Sequence, residues 1–302
     1  MVSSHLETIL PSMFFKIEGV NYQRERLELP DGDFLDIDWL RTGGKKLIIL
    51  SHGLEGNSGR HYMMRPAKFF SEKGWDVLAW NCRGCSGEVN RLKRTYHHGD
   101  IGDISIVIDH ALALGYEEIS LIGYSMGGNM TLKYLGVNGA DLDERIRCAV
   151  GFSVPCNLED SSTAVANGSG KMYEKRFLKK LKTKIEIKAE KYPELSLDWE
   201  KIENFHDFNE AFTLPVYGFE TEDEFHEQAR SDVYFESIRI PTLVANALND
   251  PMLDGRNFPY EMAEKAKHVW LETPELGGHV GFTIKGDEYS WMEYRAEEWI
   301  DR

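Results

Sequence analysis

Short apolar runs alternate along this chain with longer stretches of helical periodicity, a rhythm that builds parallel sheets flanked by helices. A hairpin is expected first, from Arg24 to Leu29, an Asp31-Gly32 turn and Phe34 to Leu40. Buried strands are then expected at Lys46 to Ser51, Trp75 to Trp80, Glu118 to Gly123, Ile146 to Phe152, Ile240 to Ala247 and His268 to Glu272. Ile104, Val107, Ile108, Ala111 and Leu112 predict a helix over Asp103 to Leu114, stopped by Gly115. Another helix opens at Met126, and a closing one is expected from about Asp287 to Ile300. At least six central strands place the chain in the α/β class, with a mostly parallel central sheet flanked by helices. Its 302 residues would allow two domains on length alone, but sheets of this size commonly fold as one domain carrying an insertion. The rhythm fails over residues 156–238, which are charged and helix-like without a clear strand. We read that stretch as a helical cap inserted into a core made of residues 1–155 and 239–302.

Composition narrows the function. Against 50 Asp and Glu stand 35 Lys and Arg, and the formal charge of −15 repels phosphate backbones, so no nucleic-acid partner is expected. Four cysteines are too few to staple so long a chain, and the first fifteen residues lack a basic n-region and are broken by Glu7 and Pro11. A cytoplasmic protein is the expectation. Within the cap, Lys171 to Lys191 holds nine Lys or Arg against three Glu, with Phe177, Leu178, Leu181 and Ile185 on one helical face. A solvated amphipathic helix is the plainer reading of this segment. Peripheral contact with an anionic membrane surface is the sharper one.

The sharpest chemical signal is GYSMGG, Gly123 to Gly128, a GxSxG with Ser125 at its centre. By chance that string occurs in about one chain in ten of this length, so its position matters more than its letters. It lies between an apolar strand and an amphipathic helix, where a serine lifted out of a sheet needs a tight turn and neighbours without side chains. Ser125 is therefore the expected nucleophile. Its hydroxyl needs a base, and the base needs an acid to hold its tautomer. Asp250 follows a late strand in LVANALNDP, and His279 follows the last strand in GGHVGF. Asp254 competes locally with Asp250, whereas Asn249 carries no charge. The loop SHGLEGN, Ser51 to Asn57, can supply one backbone donor for an oxyanion, so Leu54 and Met126 are the expected donors. His52 is read as a brace of that loop. The CxxC of Cys82 and Cys85 has no second pair, and His97 and His98 are adjacent rather than spaced as ligands, so no metal is expected; with neither a Walker lysine nor a Rossmann glycine triplet in the required context, no cofactor is expected either.

Taken together, these motifs resemble the α/β-hydrolase superfamily and, within it, the YheT-like branch. The resemblance runs from HLETI near the start through HGLEGN, NCRGCSGE, GYSMGG, VPCNL, Tyr234-Phe235-Glu236-Ser237, IPTLVANALNDP and GGHVGF. One departure is Asn249, where relatives often carry a second Asp. The resemblance implies a Ser125, Asp250, His279 triad and hydrolysis of carboxylic esters, of short- to medium-chain acids or of lipids. The same machinery would serve an acyltransferase, and a ligand-binding protein on this fold would keep the pocket without turnover.

Overall fold

The computed structural model describes residues 4–14 and 17–302. After α1 (Ser4–Phe14), the chain enters the expected hairpin, β1 (Gln23–Glu28) and β2 (Phe34–Leu40). Then follow β3 (Lys46–Ser51), α2 (His61–Ser71), β4 (Asp76–Trp80), α3 (Gly102–Ala113), β5 (Glu118–Tyr124), α4 (Met126–Asn138) and β6 (Ile146–Phe152). Between β6 and the next strand the described backbone is helix and loop: α5 (Leu158–Ala166), α6 (Lys171–Lys191), the short α7 (Phe205–Phe208) and α8 (Leu214–Tyr217), and α9 (Glu222–Ala229). The chain closes with β7 (Thr242–Ala245), α10 (Tyr260–Lys265), β8 (Val269–Glu272) and α11 (Trp291–Ile300).

The eight strands form one sheet in the order β1-β2-β4-β3-β5-β6-β7-β8. Pairing is antiparallel at β1·β2 and β2·β4 and parallel from β4 through β8. Side chains alternate across the sheet as the pleat requires. Leu47 and Ile49 of β3 face a core with α3 and α4, while Ile48 and Leu50 face a second core with α2 and α11. Both faces being covered explains why these strands read as continuous apolar runs rather than as alternation.

Several boundaries shift by one residue, and two elements differ from the sequence reading by more, each for a local reason. β7 is shorter than Ile240 to Ala247 because Pro241 lacks an N–H and, beyond Ala245, both backbone groups of Val154 are taken by the Asn246 side chain rather than by a strand backbone. The closing helix begins at Trp291, not Asp287, because Ser290 and Glu293 form a reciprocal capping box there. In the cap, Leu178, Leu181 and Ile185 of α6 pack with Phe208 and Phe212 into a third, separate core. Among the described residues no helix is long and apolar enough to cross a membrane.

Candidate active site

Ser125 sits between β5 and α4 with φ +54° and ψ −126°. A side chain tolerates that backbone only under constraint, at a cost of about 1–3 kcal/mol. Ser125 N–H donates to the Phe152 carbonyl at 2.9 Å, which ties the turn to β6. A Cβ on Gly127 would collide with the Ser51 carbonyl, and one on Gly53 would stand 2.9 Å from Ser125 Cβ. The two loops approach backbone to backbone, which the glycines permit. Glu55, Ser153, Val280 and Phe282 also have positive φ. All five positions follow β3, β5, β6 or β8, so the strained backbone gathers along one edge of the sheet.

His279 and Asp250 reach the same place from distant parts of the chain. Ser125 Oγ lies 2.9 Å from His279 Nε2, and His279 Nδ1 lies 2.8 Å from Asp250 Oδ2. A carboxylate can only accept, so Nδ1–H donates and Nε2 is left free to accept the Ser125 proton. Asp250 is closed from solvent, and its Oδ1 accepts from Met252 N–H at 2.9 Å. Asp254 is exposed and caps a short 3₁₀ turn instead. The structure thus brings together three of the residues picked out in the sequence and leaves the competing carboxylate outside.

The loop after β3 carries the other expected group. Leu54 borders the space in front of Ser125, and among the described residues the N–H groups of Leu54 and Met126 take part in no loop or turn hydrogen bond. His52 is fully buried, with Nδ1 2.7 Å from the Gly53 carbonyl and Nε2 accepting from Cys82 N–H at 3.0 Å. Burial holds its pKa down to about 4, so the neutral ring braces the loop. Next to Leu54, Glu55 is gripped by the cap. Its carboxylate meets Lys184 Nζ at 2.6 Å and accepts from Tyr96 Oη–H at 2.6 Å, while Lys180 Nζ donates to its carbonyl at 2.8 Å.

Two lobes open from Ser125 and His279. One, about 90 Å³, runs under the cap among Leu158, Val165, Leu181, Phe212 and Phe225. His97 and His98 line it too, but burial holds their pKa values down to about 4 and about 3, so both stay neutral near pH 7. The second, about 110 Å³, is bounded by α1, the Glu55 loop and α6. A larger groove of about 900 Å³ lies on the cap away from Ser125.

Residues 46–285 match the alpha/beta hydrolase fold family. The chain belongs to that family. It is 31% identical over 308 residues to the putative esterase YheT of Escherichia coli (strain K12), a match covering 98% of this chain and 89% of YheT. Phospholipase ABHD3 of Homo sapiens is 26% identical over 91% of this chain and 70% of its own. Among solved structures, the Pyrococcus furiosus esterase Pf2001 superposes with a TM-score of 0.63 at 19% identity, covering 95% of this chain and 96% of that one. This α/β hydrolase therefore stands in the esterase- and lipase-like branch with YheT.

Within the hydrolase, several supporting residues escaped the sequence reading. Asn249 Oδ1 accepts from Gly278 N–H at 2.9 Å, and its amide donates to Glu7 Oε2 at 2.7 Å. Thr8 Oγ1 accepts from His279 N–H at 2.9 Å. Helix α1 thus holds the His279 loop through Glu7 and Thr8, which lie in the HLETI segment quoted above. The only sequence signal was that segment's likeness to relatives. The departure at Asn249 has a local role, since a carboxylate there would face Glu7. Cys82, Cys85, Cys148 and Cys156 are buried free thiols, and burial pushes each pKa up, so none is primed as a thiolate. Among the described residues no group of three or more His, Cys, Asp or Glu is placed to hold a metal ion.

Proposed function

We propose that this α/β hydrolase cleaves carboxylic esters through an acyl-enzyme on Ser125. Ser125 attacks the ester carbonyl while His279 Nε2 accepts its proton and passes it to the departing alcohol. Asp250 holds the imidazole in the accepting tautomer and stabilises its charged form. The Leu54 and Met126 N–H groups receive the oxyanion, and water then repeats the cycle against the acyl-enzyme. The observation that carries the reading is the unbroken contact from Ser125 Oγ through His279 to Asp250, at 2.9 and 2.8 Å, on a serine held at φ +54°.

The apolar lobe supports a short- to medium-chain acyl group or a lipid ester as substrate, in keeping with relatives named as an esterase and a phospholipase. A panel of p-nitrophenyl esters graded by acyl length tests this. Turnover is expected in the native protein, with a fall of about 10⁴ in Ser125→Ala and little change in its thermal stability. Equal turnover by both proteins would remove the reading. Four buried free thiols support a reducing, cytoplasmic setting. The exposed Lys175, Lys179 and Lys182 of α6 support contact between the cap and anionic lipid. Salt-dependent vesicle co-sedimentation, lost when the three become Glu, tests that contact.

A further inference from the structure

The two lobes at Ser125 differ in charge. The lobe under the cap is walled by buried apolar side chains, whereas the second gathers Arg60, Arg176 and Lys180. Arg176 and Lys180 lie one turn apart on α6, and Arg60 stands at the N-cap of the eleven-residue α2. In a chain with 50 carboxylates, none of these three forms an ion pair among the described residues. Among the described residues, the side chains of Arg60 and Lys180 donate only to the Glu55 carbonyl, at 3.3 and 2.8 Å. Glu55, whose carboxylate borders this lobe, is already engaged by Lys184 and Tyr96. The start of α2 adds the positive end of a helix dipole to the same wall. Nearby bases feel this field. Lys180 is held down to about 8, by burial first and then by Arg60, with Arg176 pushing the same way against Glu55. His61 is held down to about 3, by burial and then by Arg65 and Arg60.

We propose that the lobe bounded by Arg60, Arg176 and Lys180 is an anion subsite for the alcohol half of the ester. The substrate is then an acyl ester whose alcohol carries a phosphate or similar oxoanion. This rests on Ser125 being the acylated nucleophile. The apolar lobe cannot desolvate an anion without a partner, so it takes the alkyl chain. The alcohol leaves first and needs a route out; Arg176 is exposed, while Leu158, Val165, Phe212 and Phe225 are buried. Guanidinium groups match the oxygens of a phosphate geometrically as well as electrically.

The test compares kcat/KM for 1-octanoylglycerol 3-phosphate and 1-octanoylglycerol, both as monomers, and then for phosphatidylglycerol and diacylglycerol with identical acyl chains, each carried in vesicles of a non-hydrolysable ether lipid. A preference of about tenfold or more for the anionic ester is expected, falling toward one in the Arg176→Gln, Lys180→Gln double variant and at high salt. A preference among the monomers assigns the subsite to a soluble phosphate ester, and one confined to vesicles assigns it to a lipid headgroup. Hydrolysis of all four at ratios near one, unchanged in the variant, would overturn the anion subsite while leaving the hydrolase reading intact. A preference for p-nitrophenyl hemiglutarate over the neutral pentanoate, with none for the glycerol phosphate, would overturn the assignment of the two halves. Absence of any hydrolysis would instead overturn the reading of Ser125.

Discussion

Asp250→Asn is expected to lower kcat by about 10⁴, because an amide facing His279 Nδ1 favours the wrong imidazole tautomer. Asp254→Asn should change kcat far less, since Asp254 caps a 3₁₀ turn and its side chain bonds Gly255 N–H at 2.7 Å. Steady-state kinetics of the two variants decide between them, and the reverse ranking would move the acid to Asp254. The sequence favoured Asp250 and kept Asp254 as its local competitor because both follow the same strand, and the turn between them sets the two carboxylates apart. There Leu253 N–H bonds the Asp250 carbonyl while Asp250 Oδ1 takes Met252 N–H, which turns the remaining oxygen toward the imidazole. Ser125 was legible for the opposite reason: its turn is built from neighbours in sequence, and the lack of side chains at Gly123 and Gly127 is written in the string itself.

Helix α6 shows what elements contribute that strings do not. Its apolar stripe was readable, and Leu178, Leu181 and Ile185 do enter the cap core. Its charges read either as a solvated face or as one for an anionic surface, yet Lys184 and Lys188 are buried, and Lys184 is paired with Glu55 beside the Leu54 amide. Partners 129 residues apart leave no local trace. Removing one member of a buried pair strands the other, so Lys184→Met is expected to cost about 3–5 kcal/mol in urea unfolding. Part of that loss should return in the Lys184→Met, Glu55→Gln double variant. No recovery would mean that the lysine stabilises through packing alone. Helix α1 follows the same logic: a Cβ on Gly281 of GGHVGF would strike the Glu7 carbonyl of α1. That approach is invisible until the two ends of the chain meet.

Across the whole molecule, pH reports how the hydrolase buries its histidines. Burial holds His52 and His97 down to about 4 and His61 and His98 down to about 3, against an ordinary value near 6.5. The unfolded chain takes up protons on these rings near 6.5 while the folded protein refuses them until pH 3–4. Stability is therefore full above 6.5 and is lost as pH falls toward those lower values. The exposed His206, raised by its hydrogen bond to Glu222, acts in the opposite sense, as do the carboxyls of Asp103 and Glu174, which burial raises. Calorimetry should show Tm falling between pH 7 and 5, and a flat or rising Tm would mean that the imidazoles are not buried as neutral rings. The parallel sheet that gathers the site was legible because its strands are buried on both faces. The cap was legible only as helical, because its packing depends on contacts across long loops. The most direct measurement of the central claim is mass mapping of the protein after reaction with a fluorophosphonate. One adduct on Ser125 is predicted, absent from Ser125→Ala and formed far more slowly in His279→Ala. Ester turnover with no adduct at Ser125, or with the adduct on another residue, would contradict the account.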